Sequence, residues 1–231
     1  MSLLRVTAHL DGPIATRQPV QLDAVLMQAH PYLSGKAVTR ATPEADLEEP
    51  SISVHRLYHG GTRVFLCSGW HFPATARRGV EHIVKRKDGL DLDDLEHPWN
   101  PALGPGKNRC VPMPLLLTPT VWWFAIGRRE GVKKLLRRVH QLGGLRAHGY
   151  GRVRSWEIDA IADATLDSVL VTADGKAARH LPAAWAIDPP ATDAGSWLPP
   201  YWHPCRIGHR VPEGNRCNLA PAVLGRVAEC R

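Results

Sequence analysis

Residues 120–161 constrain the fold most, because they contain a strand, an amphipathic helix and a second strand in direct succession. The stretch TVWWFAIG, at 120–127, is β-branched and aromatic and predicts a strand. The stretch 129–143 places its apolar residues on one helical face and ends at a glycine, which predicts a helix. The alternating residues of 151–161 predict the next strand.

The remaining regular segments extend this unit to the order β-α-β-β-α-β. Residues 3–10 predict a first strand and a turn, and the apolar spacing in 19–33 predicts a helix that ends at a proline. Two short runs around a glycine turn in 51–70 predict a hairpin. A further strand is expected at 167–172. This order predicts an α+β protein with the ferredoxin-like (RRM-like) plan.

Two segments depart from this regular pattern. Residues 71–114 are basic, then acidic, then rich in Pro and Gly, so we expect a long, largely irregular insertion with room for one helix. Residues 176–231 are rich in Pro and Trp, and we expect an extended segment that packs along a domain formed by residues 1–175. The tryptophans expected to anchor this segment are Trp185, Trp197 and Trp202.

Positive charge is concentrated in one part of the chain. Residues 128–154 contain nine Lys and Arg residues and one Glu, whereas the whole chain has a net charge of only +7. A second basic cluster lies at 76–87, and acidic residues collect at 43–50 and 88–96. Such segregation favours a polyanionic partner such as nucleic acid. The alternative interpretation is a helix surface that only water contacts.

The stretch GGLRAHGYGRVRSWEI, at 143–158, places four glycines among cations directly after the basic helix. Glycines let backbone N–H groups face a phosphate, and arginines add charge and bidentate hydrogen bonds. A tyrosine or histidine in such a loop can stack on a base of single-stranded RNA. The alternative is a tight turn with a buried tyrosine. The predicted RNA-binding residues of this region are Arg137, Arg146, His148, Gly149, Tyr150, Gly151, Arg152 and Arg154.

Two stretches of the chain resemble a known family. The glycine-rich loop of the CRISPR-associated RAMP proteins, which have ferredoxin-like folds, is similar to GLRAHGYGRVRSWEI after WWFAIGRREGVKKLLRRVHQLG. Their first strand, loop and helix are similar to LRVTAHLDGPIATRQPVQLDAVL. Together with PPYWHP and the chain length, these stretches most resemble the small 5′-handle-binding subunit of type IV CRISPR effector complexes.

The resemblance implies a non-catalytic RNA-binding subunit of a cytoplasmic ribonucleoprotein complex for antiviral or anti-plasmid defence. It implies that the chain caps the 5′ handle of the guide RNA (crRNA) and contacts the filament backbone and large subunits. Target DNA near the same end of the complex is a further implied partner, and no membrane is implied. It also implies an RNA-contacting thumb in the 71–114 insertion. The predicted RNA-binding residues outside the glycine loop are Arg17, Arg77, Arg78, Lys85, Arg86 and Lys87.

Two other functions are compatible with the sequence. Some RAMP proteins are metal-independent ribonucleases that cleave the CRISPR repeat, with a base, an acid and a cation acting around the phosphate. The groups available for this chemistry are His30, Tyr32, His55, Tyr58, His148 and Tyr150. A metal-stabilised interaction module would use His203, Cys205, His209 and Cys217. Because the chain has no C-x-x-C pair, no metal or other cofactor is predicted.

The cysteines and the first residues predict the compartment. The five cysteines are scattered rather than arranged as a disulfide framework, so we expect reduced thiols in a cytoplasmic protein. The first residues lack the charged start and long apolar core of a signal peptide. The longest apolar stretch, at 115–127, is too short to span a bilayer.

Overall fold

The computed structural model describes residues 2–30, 41–43, 47, 51–85, 109–161, 166–189 and 191–229. In chain order the strands are β1 (Ser2–Leu10), β2 (Ile14–Ala15), β3 (Arg56–His59), β4 (Thr62–Phe65), β5 (Arg77–Lys85), β6 (Arg109–Leu117), β7 (Thr120–Gly127), β8 (Val153–Ala160), β9 (Leu181–Pro182), β10 (Asp193–Gly195) and β11 (Gly208–Val211). The α-helices in these ranges are α1 (Leu22–Ala29), α2 (Arg129–Leu136) and α3 (Pro221–Ala228). These elements form small antiparallel sheets and helices, which confirms the predicted α+β class.

The central sheet places β1 between β7 and β8, and both neighbours run antiparallel to it. In this register, Val6 of β1 lies opposite Trp123 of β7 and Ile158 of β8. The segment 66–71 continues along the outer side of β7 through isolated antiparallel bridges. The predicted hairpin is present as β3 and β4, and the strands expected around β1, β7 and β8 are confirmed.

Helices α1 and α2 pack on one face of the central sheet and enclose the first core. Because alternate residues of a strand point to the same face, Leu4, Val6 and Ala8 of β1 are all directed into this core and are fully buried. Leu26 of α1 and Leu136 of α2 cover them. The helices therefore fix the position of the segment that follows α2, which is the glycine-rich loop.

Both helices are shorter than their apolar spacing predicts. Helix α1 ends at Ala29, since His30 precedes a proline and takes extended backbone. Helix α2 ends at Leu136, although the helical spacing continues beyond it. Leu142 is instead buried in an extended segment, where its N–H donates to the carbonyl of Gly151 at 2.8 Å. Leu142 therefore matches the helical spacing of the sequence, but in the fold it is buried through a strand-like pairing.

The expectation of an irregular 71–114 insertion is wrong for the strands described there. Strands β5 and β6 form an antiparallel ladder nine residues long, from Arg77 opposite Leu117 to Lys85 opposite Arg109. Residues 86–108, where these strands would be joined, lie outside the described residues.

Strand β6 was not predicted from the sequence because it contains two prolines, and proline weakens a strand assignment. Pro112 and Pro114 have no N–H to donate, and their carbonyl groups point away from β5. The carbonyl of Pro114 accepts from the N–H of Thr16 at 3.0 Å, and that of Pro112 accepts from the Arg17 guanidinium at 3.3 Å. The backbone of both prolines therefore faces the β2 side of β6. The ladder between β6 and β5 needs no N–H donor at these two positions.

The C-terminal part differs from the extended segment that was expected for 176–231. It forms the small sheet β10-β11-β9 and helix α3, which share a second core with Ile126 on the other face of the central sheet. Trp185 is fully buried there, and Trp197 is half-buried against both cores. Trp202 is 49% exposed, so it does not act as an anchor. The boundary between 1–175 and this segment stays a prediction.

One buried arginine joins the C-terminal part to α1. The Arg179 guanidinium is fully buried and donates to the Asp23 carboxylate at 2.8 Å and to the carbonyl of Phe65 at 2.6 Å. The Tyr201 hydroxyl donates to the other Asp23 oxygen at 2.7 Å. Burial raises the pKa of Tyr201 well above its ordinary value, so this hydroxyl keeps its proton.

The remaining expectations concern single segments. The strand expected at 167–172 is wrong, because Leu166–Val169 forms a 3₁₀ helix. Val169 and Leu170 are both buried, which consecutive residues of a half-buried strand cannot achieve. The cysteines within the described ranges are free thiols. No helix in the described part of the chain is both long enough and apolar enough to cross a membrane.

Candidate functional site

The glycine-rich loop connects the end of α2 to β8 through several left-handed residues. Residues Arg146–His148 form a 3₁₀ helix between Leu145 (φ 54°) and Gly149 (φ 85°). Gly143 (φ 75°) and Gly151 (φ 67°) are left-handed as well. Because glycine adopts such angles without a steric penalty, three of the four glycines are explained by the path of the backbone.

Two of these glycines also allow backbone segments to touch. A Cβ atom on Gly143 would lie 2.6 Å from the carbonyl oxygen of Ala15, and one on Gly151 would overlap the carbonyl of Leu142. A Cβ atom on Gly149 would meet no atom within 4 Å. Gly143 and Gly151 therefore pack the loop against the protein itself, whereas Gly149 lies on its open side. A role for these glycines in binding RNA stays a prediction.

The backbone N–H groups expected to face a phosphate are already used within the protein. The N–H of Gly151 donates to the carbonyl of Pro13 at 2.8 Å, and the N–H of Gly149 donates to the carbonyl of Arg146 at 2.9 Å. An N–H that is paired in this way is not available to a ligand without rearrangement. Anion binding through Gly149 or Gly151 would therefore need rearrangement, whereas the exposed side chains of the loop are directly available.

The cationic side chains of the loop and of β8 are exposed, and one carboxylate lies among them. Arg146, His148, Arg152 and Arg154 all reach solvent. Asp11, in the turn after β1, lies 2.6 Å from Nε of Arg154 and 4.0 Å from Nε of Arg152. The carboxylate therefore offsets part of the positive charge at the start of β8.

Arg146 is oriented by two glutamine side chains. With its amide oxygen turned toward the loop, Gln28 at the end of α1 accepts from the Arg146 guanidinium at 2.8 Å. The side-chain amide of Gln141 donates to the carbonyl of Arg146 at 2.9 Å. The same three residues line a cleft of about 260 Å³ with Arg138 and His140. Arg137 lies just before this cleft and is exposed at the end of α2.

Tyr150 lies on the side of the loop that is near the β5–β6 hairpin. Partial burial, together with the nearby carboxylate of Glu81 on β5, raises the pKa of Tyr150. The hydroxyl therefore stays protonated at neutral pH. Tyr150 is half-buried rather than enclosed, so part of its ring remains open to solvent.

Strand β2 joins the loop and the hairpin on its two sides. Ala15 lies opposite Leu115 of β6, and it also forms an antiparallel bridge with Gly144 of the loop. The N–H of Gly144 donates to the carbonyl of Ala15 at 2.7 Å. The loop and the hairpin are therefore two edges of one small sheet, although more than twenty residues separate them in the sequence.

The predicted residues outside the loop occupy different surfaces. Arg17 and Arg78 line one cleft of about 300 Å³ at the base of the hairpin. Arg77 is exposed, and strand alternation directs it to the other face of β5. Lys85 lies in the described backbone of β5, and its side chain is outside the description. Arg86 and Lys87 lie outside the described residues altogether.

The groups suggested for ribonuclease chemistry are not all brought together. The loop that holds His148 and Tyr150 lies at the Leu10 end of the central sheet, where the N–H of Asp11 meets the carbonyl of Arg152. His55 lies at the opposite end, where its N–H donates to the carbonyl of Ile126. His30 follows α1, Tyr58 is on β3, and Tyr32 lies outside the described residues.

The groups suggested for a metal site are dispersed as well. Cys217 is buried in the second core, whereas Cys205 is exposed. The Nδ1 atom of His203 accepts from the N–H of Cys205 at 3.3 Å. Within the described ranges, no three His, Cys, Asp or Glu side chains are grouped as metal ligands would be.

Four residues near the candidate site were missed by the sequence interpretation. They are Asp11, Glu81, Trp70 and Phe72. Asp11 was interpreted only as part of a turn, and Glu81 only as one residue in a basic cluster. Phe72 and Trp70 stand directly before the basic cluster at 76–87, and this succession of aromatic and cationic residues was an available signal.

The described chain thus defines a class of mixed α and β protein in which a basic, glycine-rich loop leads from a helix into an edge strand of an antiparallel sheet. The sequence model of the family described as CRISPR type IV associated protein Csf3 matches residues 71–209, which is more than half of the chain. The chain therefore belongs to the Csf3 family, and the resemblance to type IV CRISPR proteins is confirmed. The family implies association with a type IV CRISPR complex. No curated protein matches the chain.

Proposed function

We propose that this chain is a non-catalytic subunit that binds guide RNA and caps its 5′ handle within a type IV CRISPR effector complex. The observation that most supports this proposal is the exposed set of cations on the glycine-rich loop, which lies inside the region matched by the Csf3 family. The loop is attached to the rest of the molecule through β2, so its cations are presented from a supported backbone.

We also propose that the central sheet is a ferredoxin-like domain of the RAMP type. In that plan the order of strands across the sheet follows the chain as fourth, first, third and second. Here β8, β1, β7 and the segment 66–71 succeed one another across the sheet in a compatible order. Two helices on one face are a further supporting feature.

The β5–β6 hairpin is the proposed thumb of this subunit. Each of its strands is nine residues long, and the side chains of Val80 and Val84 on β5 are exposed. Exposed apolar residues on a projecting hairpin are suited to contact with a neighbouring subunit. The filament backbone and the large subunit of the complex are the proposed protein partners, and target DNA near the same end is a further proposed partner.

The loop would hold RNA through side chains rather than through its backbone. The guanidinium groups of Arg146 and Arg152 can each bind a phosphate with two hydrogen bonds. His148 and the open part of the Tyr150 ring can stack on an unpaired base. Because these contacts read the phosphate backbone and the base faces, they suit single-stranded RNA better than a duplex.

The proposal is tested with the purified full chain and a labelled single-stranded repeat RNA in EDTA, analysed by gel shift and on a denaturing gel. Retention of intact RNA is the expected result. The double variant Arg146→Ala/Arg152→Ala is expected to lose about 100-fold in affinity, at about tenfold for each charged contact. Arg216→Ala, an exposed cation in the C-terminal part, is the control for a change in net charge.

Three results decide between the alternatives. Wild-type affinity in the double variant, with an unchanged circular dichroism spectrum, would contradict the assignment of the loop. Cleavage at a single position in EDTA, abolished by His148→Ala or Tyr150→Ala, would instead establish the ribonuclease function. Absence of any shift with the wild-type chain would contradict binding by the subunit itself.

A further inference from the structure

A cleft at the base of the β5–β6 hairpin has the composition of a nucleotide-binding site. It lies between the segment that follows β2, the aromatic segment before β5, and the start of the hairpin, and its volume is about 300 Å³. The residues that give it chemical character are Thr16, Arg17, Gln18, Trp70, Phe72 and Arg78. Among the residues that the structure describes, none that lines this cleft is acidic. These segments are far apart in the sequence and meet only in the fold.

The cations of the cleft are free to turn toward a ligand. Arg17 and Arg78 are both exposed, and Arg78 has no hydrogen bond or ion pair with any residue that the structure describes. Arg17 donates one guanidinium hydrogen bond to the carbonyl of Pro112, at 3.3 Å, and its other donors have no partner among the described residues. Two guanidinium groups beside one cleft favour a phosphate, because each can bind it with paired hydrogen bonds.

The aromatic residues of the cleft are held in place before any ligand arrives. The rings of Trp70 and Phe72 are nearly perpendicular, with centroids 6.2 Å apart. Trp70 is only 9% exposed and packs into the first core, whereas Phe72 is half-buried at its edge. A ring that is already ordered loses little entropy when a base stacks on it, which favours stacking at Phe72.

We infer that this cleft binds one unpaired nucleotide of an RNA strand, with its base against Phe72 and its phosphate between Arg17 and Arg78. The inference rests on the proposed RNA-binding function and adds a second contact point to it. Arg17 follows Ala15 by two residues, and Ala15 is paired with the glycine-rich loop. The cleft and the glycine-rich loop are therefore both attached to the segment around β2, and we expect one RNA strand to contact both.

The cleft volume favours a nucleotide over a segment of protein. Ligand pockets span about 300 to 1,000 Å³, and this cleft lies at the small end of that range. A single base fits such a space, whereas a peptide needs a longer groove. The positive charge of Arg17 and Arg78 is also better suited to a phosphate than to the mixed charges of a protein surface.

The test uses the full chain and the same repeat RNA carrying 4-thiouridine at one position at a time, with ultraviolet cross-linking and mass spectrometry of the peptides. We expect one position to cross-link to the peptide that contains Trp70 and Phe72. In equilibrium binding, Phe72→Leu and Arg78→Ala are each expected to lose roughly tenfold in affinity, while Arg216→Ala stays close to wild type. Arg78→Ala is also expected to lower the slope of log affinity against log salt by about one.

Each outcome is distinguishable from failure of the proposed function. If the wild-type chain binds RNA and the loop variants weaken it, but Phe72→Leu and Arg78→Ala do not and no position cross-links to this peptide, the cleft is not a nucleotide site. If the wild-type chain binds no RNA, the proposed function itself fails. Competition by a free mononucleotide without any cross-link from the RNA would overturn the assignment to an RNA strand. Since Arg78 is exposed, its variant remains informative even if Phe72→Leu does not fold.

Discussion

Arg179 shows how one side chain can connect two parts of this molecule. Its guanidinium is enclosed by Asp23 of α1, the carbonyl of Phe65 and the Tyr201 hydroxyl, and both Arg179 and Asp23 are fully buried. A buried charge is tolerated only where its partners satisfy it, and here they come from α1, the first core and the C-terminal part. The network therefore fixes the C-terminal part against α1, and through α1 it supports the sheet that holds the glycine-rich loop.

Removing this arginine is expected to destabilise the chain strongly. Arg179→Ala leaves the Asp23 carboxylate buried without its partner, and breaking a buried pair from one side costs about 3–5 kcal/mol. The measurement is the free energy of unfolding in urea, monitored by tryptophan fluorescence. Lys176→Ala removes an exposed cation from its pair with Asp174 and should leave the stability unchanged. Similar stability of the two variants would show that the buried pair is not a structural link.

Two neighbouring titratable residues predict an unusual dependence of stability on pH. Burial raises the pKa of Glu213 from 4.5 to about 7, and the Gln21 side chain offsets part of this effect. Burial, with Arg210 as the next cause, lowers the pKa of His180 from 6.5 to about 4. The N–H of Glu213 donates to Nδ1 of His180 at 3.1 Å, so both groups belong to one partly buried cluster.

The two groups act in opposite directions. Folded Glu213 holds its proton more tightly than the unfolded chain does, so its contribution to stability is present below pH 4.5 and is lost as the pH rises to 7. Folded His180 binds its proton more weakly, so stability is gained as the pH rises from 4 to 6.5. We expect the two effects to cancel between pH 4.5 and 6.5. Glu213→Gln should expose the His180 effect, a gain of up to about 3 kcal/mol across that interval.

Urea unfolding of the wild type and of Glu213→Gln at intervals from pH 4 to 8 measures this difference. A flat profile for the wild type and a rising profile for the variant are expected below pH 6.5. Identical profiles for the two proteins would show that the carboxyl group of Glu213 titrates normally in the folded chain.

At the scale of elements, the sequence predicted the strands whose two faces differ and missed those whose pattern is interrupted. Strands β1, β7 and β8 were predicted because their apolar residues alternate or cluster. Strand β6 was missed because Pro112 and Pro114 interrupt its pattern, although both prolines lie on an edge that needs no donor. The end of α2 was misplaced because Leu142 is buried by strand-like pairing rather than by helical packing.

The loop itself allows a matched test of why its glycines are needed. Gly149 and Gly151 are both left-handed, with φ of 85° and 67°. An alanine at either position meets the left-handed penalty of about 1–2 kcal/mol. At Gly151 the added Cβ would also overlap the carbonyl of Leu142, whereas at Gly149 it would meet open space. Gly151→Ala is therefore expected to be the more destabilising of the two.

Urea unfolding and amide hydrogen exchange over 141–153 measure this contrast. Gly151→Ala should lose more free energy of unfolding than Gly149→Ala and should increase exchange in the pairing between Leu142 and Gly151. Equal effects would mean that only the backbone angle matters and that the contact with Leu142 adjusts easily.

At the scale of the whole molecule, the fold brings some of the predicted RNA-binding residues together and places others on separate surfaces. The sequence placed Arg146, His148 and Arg152 on one loop because they are close along the chain. It could not show that Arg17 and Arg78 face one cleft, since that depends on the pairing of β2 with β6. Nor could charge counting locate the acidic groups inside the basic surface, because their positions depend on turns and on strand register.

Asp11 is the acidic group that permits the last prediction, which rests on the proposed RNA-binding function. Its carboxylate lies 2.6 Å from Arg154 and within 4.0 Å of Arg152, so it competes with a phosphate for both guanidinium groups. Asp11→Asn is therefore expected to bind repeat RNA about threefold to tenfold more tightly at low salt, an effect of about 1 kcal/mol. Because screening weakens exposed charges, this gain should shrink as the salt concentration rises from 50 to 200 mM, the range over which such binding is commonly compared.

The control for this prediction is a variant with the same change in net charge at a distant position. Asp174→Asn also removes one negative charge, but Asp174 is paired with Lys176 in the C-terminal part, far from the loop in the sequence. If the field of the whole molecule governed binding, both variants would gain equally. A gain confined to Asp11→Asn would instead show that a local carboxylate limits how strongly the arginines of β8 bind phosphate. Weaker binding by Asp11→Asn would mean that Asp11 positions these arginines for RNA rather than competing with it.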